Sequence, residues 1–274
     1  MEHTLQYIAK TLMQYDNTDS DIGLFYGNMG IAIFLFHYAR FTGDQTYREK
    51  AVMMTNNCIR EAIRQHSRYD YANGLAGVGT GVEYLIQNDF VKADANRVLK
   101  KFDKIVFRYT VYGKRNDAGL FTGYSGLGRY LLFRVAGQCN NDEHIGTLDN
   151  KMLLINITDI VERKYPSLNN QEIEDVLGFL YAMDQANIYP AKIKRLIQQF
   201  TSGSASSNQE AKETVQKQKK TETLYCGKYN QLLSEIRENT PLRMAFGLCE
   251  GLAGIGLYIL NKSNKQHKSW MQLL

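Results

Sequence analysis

A short phrase recurs four times in this chain: Gly27-Asn28-Met29-Gly30-Ile31, Gly74-Leu75-Ala76-Gly77-Val78-Gly79, Gly123-Tyr124-Ser125-Gly126-Leu127-Gly128 and Gly251-Leu252-Ala253-Gly254-Ile255-Gly256. A Gly-x-x-Gly that repeatedly heads an apolar segment marks a repeat architecture, which restricts the fold to units that stack on copies of themselves. The first glycines of successive phrases lie 47 and then 49 residues apart, room for two helices and their connections. The last gap, of 128 residues, would hold two or three further units, which must be degenerate or partly replaced.

Each phrase leads into an apolar run, clearest in Ile31-Ala32-Ile33-Phe34-Leu35-Phe36 and in Leu252 through Leu260. Periodicity alone does not separate a buried strand from a buried helix. The runs extend past ten residues into amphipathic ends, and only Pro166, Pro190 and Pro241 interrupt the chain, so the reading is helix. A second segment, Tyr47 to Ile63, has helical spacing, with Val52, Ile59, Ala62 and Ile63 on one face and charges on the other. Thr42-Gly43-Asp44 between the two ends one helix and caps the next. The unit is a helical hairpin with one buried and one exposed member.

Hairpins of this kind bury their apolar faces by packing side by side, and an apolar inner member favours a closed two-layer ring, an α/α toroid, over an open solenoid. The expected fold is therefore all-α, one domain spanning residues 1–274. The glycines would let inner helices crowd together at one end. Helical spacing continues in Leu153 to Val161 and in Glu174 to Met183, the latter a candidate inner helix without its glycine phrase, and Pro190 suits the start of another helix. Residues 201–223 contain almost no apolar residues and are expected to form a mobile insertion or linker.

Composition excludes several classes. A net charge of +5 over 274 residues, with the lysines spread out apart from Lys212, Lys217, Lys219 and Lys220, gives no nucleic-acid footprint. No apolar run reaches the ~18 residues of a membrane span, and Met1 to Tyr7 lack a basic region followed by an apolar core. Cys58, Cys139, Cys226 and Cys249 are scattered without a Cys-x-x-Cys pair, so the expectation is a cytoplasmic protein with reduced thiols.

The repeated phrases and the residues around them resemble the lanthionine synthetase C-like family over most of the chain. They are Leu24 to Ala32, Asn73 to Ile86, Gly119 to Gly128 and Gly247 to Gly256. The resemblance implies an α/α toroid, here shortened relative to the family's full set of repeats. It also implies an activity that joins a cysteine thiol to a dehydrated serine or threonine of a precursor peptide, on a zinc ion. Such chemistry needs a metal that lowers the thiol pKa and an acid/base group. Family members hold the zinc with two cysteines and a histidine in Cys-Tyr-Gly-like and Cys-His-Gly phrases. In this chain Cys249-Glu250-Gly251 has glutamate where the histidine stands, and Cys226-Gly227 lacks the tyrosine and the second glycine. Neither zinc, nor a metal ligand, nor a catalytic residue is assigned.

Other residue types have structural and functional readings side by side. His37 lies near the end of an apolar helix, where it suits a capping role, while His3, His66, His144 and His267 stand apart from any cysteine or glycine phrase. Asp21, Asp70 and Asp117 each precede a glycine phrase by four to six residues, and Glu83 sits inside an inner helix. They read as loop and helix caps or as the acid/base pair of a glycoside-processing toroid. Tyr26, Tyr69, Tyr71 and Tyr124 fall where they could line a peptide or sugar groove. The leading expectation is a peptide-modifying protein of the lanthionine synthetase C-like type, whose partners are a peptide and a modification enzyme. A non-catalytic peptide-docking module and a glycoside-processing enzyme are the alternatives.

Overall fold

The computed structural model describes residues 2–15, 21–64, 68–113, 117–137, 145–203, 210–238, 245–263 and 265–274. They form helices α1 (Glu2–Gln14), α2 (Asn28–Thr42), α3 (Gln45–Arg64), α4 (Leu75–Gln87), α5 (Ala95–Tyr112) and α6 (Tyr124–Gly137). After these come α7 (Ile145–Lys164), α8 (Asn170–Gln185), α9 (Pro190–Gly203), α10 (Glu210–Arg237) and α11 (Leu252–Ser263), with short 3-10 segments at Tyr165–Ser167 and Lys265–Leu273. Two compact units result, Met1–Glu61 with Gln209–Leu274 and Ala62–Asn208, called here the first and second unit.

The glycine phrases open α2, α4, α6 and α11, which carry the core. Every residue from Asn28 to Ala39, from Leu75 to Leu85 and from Leu252 to Asn261 is buried. In the first unit α11 packs on α2, α1, α10 and the C-terminal 3-10 segment, where Trp270 is fully buried edge-on against Tyr225. In the second, α6 packs on α4, α7 and α8, and α8 on α9.

The last glycine of a phrase seats an aromatic ring from a neighbouring helix. A Cβ on Gly79 of α4 would overlap the Tyr130 ring of α6, and one on Gly128 of α6 would overlap the Phe179 ring of α8. Gly256 of α11 stands in the same relation to Phe34 of α2. The glycines thus admit side chains as well as backbone. Phe179 also places α8 in the inner series, as its apolar pattern suggested.

Local signals account for the connections. Gly43 takes φ +77° and its N–H caps the Ala39 carbonyl, and Asp44 Oδ1 accepts from the Thr46 N–H at 2.9 Å to start α3. Asn169 and Glu172 form a capping box on α8, and Pro190 opens α9. On α3 the buried stripe is Ala51, Met54, Thr55, Cys58 and Ala62, while Val52 is exposed. Of the expected face Ala62 is buried, Ile59 and Ile63 are half-buried and Val52 is exposed; the buried face is turned toward Ala51, Met54, Thr55 and Cys58, with Glu61 buried as well.

Within 201–223, expected to be a mobile insertion or linker, Thr201 to Gly203 complete α9 and Glu210 onward is α10. Residues 204–209 lie outside the described residues. Lys, Glu and Gln are strong helix formers, so a polar stretch without apolar periodicity is helical on propensity.

Candidate functional site

The helix mouths are built by a loop that recurs with the glycine phrase. The helices that open on a glycine phrase, α2, α4, α6 and α11, donate their first N–H groups to backbone carbonyls seven residues earlier in the preceding loop, and α2 and α4 have no side-chain cap. Asn28 and Met29 donate to Asp21 and Ile22, and Leu75 and Gly77 to Arg68 and Asp70. Tyr124 and Ser125 donate to Asp117 and Ala118, and Leu252, Ala253 and Gly254 to Ala245, Phe246 and Gly247. The loop therefore supplies the acceptors that a helix N-terminus lacks. Such folding back brings the loop onto the phrase: a Cβ on Gly30, Gly126 or Gly254 would overlap the carbonyl oxygen of Leu24, Leu120 or Leu248. The loops also pair, since the Cys249 N–H donates to the Phe25 carbonyl at 2.9 Å and the Tyr71 N–H to the Phe121 carbonyl at 3.0 Å.

In the first unit this pairing places Cys249 and Glu250 beside Tyr26. The Tyr26 hydroxyl donates to the Cys249 sulfur, and burial, ahead of its neighbours' charges, pushes the phenol up to about 12. Burial likewise raises the Cys249 thiol above its ordinary range, against the lowering by Tyr26 and by the Lys228 charge. Helix α10 clamps the loop from outside: the Tyr225 hydroxyl donates to the Leu248 carbonyl at 2.7 Å, and Lys228 Nζ lies 3.3 Å from Glu250 Oε2. Glu250 has φ +56°, a left-handed conformation rare for a residue with a side chain.

The zinc implied by the resemblance needs thiolates and a third donor. Cys249 is held in surroundings that favour the thiol, whereas Cys226 is exposed on α10 and interacts with the Tyr258 hydroxyl. Among the described residues, no three His, Cys, Asp or Glu side chains come together to hold a metal ion. Among the described residues, the donors around Cys249 and Cys226 do not fit zinc. His37 is buried within α2 and His3 is exposed on α1. His66, His144 and the side chain of His267 lie outside the described residues.

In the second unit the same loop is clamped by carboxylates. Glu172 Oε1 accepts from the Ala118 N–H at 3.0 Å, and Asp175 Oδ2 from the Leu120 N–H at 2.8 Å, both reaching from α8. Asp117 accepts from the Gly119 N–H and from the Thr122 hydroxyl, and Asp70 accepts from the Asn73 N–H at 2.7 Å. Both aspartates thus act within their own loops, and Asp21 offers its backbone carbonyl to Asn28. Glu83 lies deeper, 2.6 Å from Arg134 NH1 with both side chains 1% exposed. Arg134 also bonds Asp103 and Asn96, and the Tyr130 hydroxyl donates to Asp103 at 2.5 Å. Of the rim tyrosines, Tyr26 is 46% exposed, Tyr71 and Tyr124 are buried, and Tyr69 stacks on Tyr109.

Sequence reasoning did not find the clamping residues Tyr225, Lys228, Glu172 and Asp175, or the Arg134 network. A usable signal was present: Gly23-Leu24, Gly119-Leu120 and Gly247-Leu248 recur four residues before the phrase glycine. They mark the loop, and at Gly119-Leu120 and Gly247-Leu248 an i, i+3 polar pair on a neighbouring helix grips it.

The model of the family described as lanthionine synthetase C-like protein matches residues 1–110. Among solved structures, nisin cyclase is similar, with TM-score 0.53, 11% identity and coverage of 100% of this chain and 97% of that one. The all-α toroid expected from the repeats is the fold this likeness shows. No curated protein sequence matches the chain. Among the described residues, no helix is long and apolar enough to cross a membrane.

Proposed function

We propose that the chain is a lanthionine synthetase C-like protein that holds a cysteine-bearing precursor peptide for modification and does not itself close the thioether on zinc. It works in the cytoplasm, a location consistent with the free thiols of Cys58, Cys226 and Cys249, beside an enzyme that modifies the same peptide. The observation that carries this reading is the mouth of α11: Cys249 is tied to Tyr26 and Phe25, and Glu250, in the family's histidine position, is tied to Lys228. These groups join loops. The glycoside-processing alternative has no comparable support, because Asp70 and Asp117 bond the backbone of their own loops and Glu83 is paired with Arg134.

The test uses a synthetic peptide carrying one cysteine and one dehydroalanine. Cyclisation adds S–H across the C=C bond and leaves the mass unchanged, so the readout is whether the peptide thiol can still be alkylated. We expect the peptide to bind and its thiol to remain alkylatable with or without added zinc. Zinc-dependent loss of the thiol would contradict the non-catalytic reading, and absence of binding would contradict peptide holding.

A further inference from the structure

We infer that a cleft of the second unit, between α5 and α7 at the start of α6, binds an acidic amphipathic stretch of a peptide. This inference rests on the peptide-holding reading and assigns it a surface far along the chain from Cys249. The cleft encloses about 730 Å³ and is lined by residues that include Thr110, Tyr124, Met152, Ile155, Asn156 and Arg163.

Three observations converge on it. Thr110 is 2% exposed, lines the cleft, and its Oγ1 has no hydrogen-bond partner. A buried hydroxyl left unbonded is costly, and a ligand polar group entering the cleft would relieve it. Next, apolar residues open to solvent flank it: Met152 of α7 and Val111 of α5 line the cleft and are exposed, and Leu148 and Phe107, one turn before them on the same helices and outside the lining, are exposed as well. Two such rows match the anchor spacing of an amphipathic segment laid between two helices.

The third observation is charge. Asp159 lines the cleft but is paired with Lys192, and Glu162 is paired with Lys192 at 2.8 Å and Arg195 at 2.5 Å. With Asp159 and Glu162 answered from α9, and Asp149 of α7 outside the lining, the lining carries one carboxylate, Asp159, against two basic residues, Arg163 and Lys164. A basic, concave, apolar-lipped surface suits an acidic peptide. An anionic membrane would meet the same charges, but a flat bilayer surface would not reach the buried Thr110 hydroxyl, so the peptide is favoured.

The test measures binding of two labelled synthetic peptides to the full chain by fluorescence anisotropy. They share apolar residues at helical spacing; one carries Glu and the other Lys at the remaining positions. The Glu peptide should bind at least about tenfold tighter, and Arg163→Glu and Met152→Glu should each weaken it about tenfold. Arg163→Glu should also narrow the preference over the Lys peptide. Thr110→Val separates a binding role from a structural one: it should weaken the Glu peptide while raising the melting temperature of the free protein, since it removes an unbonded hydroxyl.

Equal binding of the two peptides would overturn the proposal, as would binding untouched by all three substitutions. The latter result would leave peptide holding intact and move it elsewhere. Binding to anionic-lipid vesicles in preference to the Glu peptide would assign the surface to a membrane instead. If neither peptide binds, the cleft proposal fails, and the cysteine–dehydroalanine peptide decides the broader reading independently.

Discussion

The loop before α11 and the loop before α6 are the same backbone object gripped by opposite chemistry. Each supplies carbonyls seven residues back to the first N–H groups of its helix, and each lies across a glycine that a Cβ would block. In the first unit the grip comes from donors on α10, the Tyr225 hydroxyl and the Lys228 ammonium. In the second it comes from acceptors on α8, the Glu172 and Asp175 carboxylates. Both pairs are spaced i, i+3. The repeat is therefore specified by backbone spacing and glycine, and the side chains around it diverge between units.

The largest expected effect would break the comparison on one side only. Arg134→Ala leaves the buried Glu83 without its cation in the second unit, and loss of one partner from a buried ion pair costs about 3–5 kcal/mol. Denaturant melts should show that loss, with backbone amides of α4, α5 and α6 the first to lose exchange protection. Next come the shared glycines. Gly126→Ala and Gly254→Ala should destabilise by similar amounts, about 1–3 kcal/mol or more, because each Cβ meets a leucine carbonyl that cannot rotate away. Gly178→Ala and Gly227→Ala, with nothing near the added Cβ, should instead stabilise their helices by roughly 0.5–1 kcal/mol. A large difference between the first two variants would break the equivalence of the loops.

The smallest effects distinguish the two grips. Tyr225→Phe removes one neutral hydrogen bond and should cost about 1 kcal/mol, whereas Asp175→Ala removes a charged acceptor and should cost about 1.5–3 kcal/mol. A ratio reversed in chemical melts would place the tighter grip in the first unit.

Much of the fold was legible because glycine and apolar runs act locally. The phrases fixed the starts of α2, α4, α6 and α11, and Pro190 and Gly43 marked further boundaries. On α3 the buried Ala62 was legible, but Ala51 and Cys58 were not, because they pack by being small, which hydrophobicity does not register. Residues 201–203 and 210–223 are helical despite a linker-like composition, because Lys, Glu and Gln are strong helix formers. The candidate site was less legible. Asp70 and Asp117 offered two roles, and only their hydrogen bonds distinguish them. Tyr225 and Lys228 carry no signature in sequence, since their importance comes from what α10 packs against.

The most direct test of the account is the pH dependence of alkylation at Cys249, read by peptide mapping with and without stoichiometric zinc. With the thiol held up by burial, modification should rise only above the ordinary thiol range of about 8.5, and zinc should not protect it. A midpoint below that range, together with protection by one equivalent of zinc, would contradict the account and make Cys249 a metal-bound thiolate.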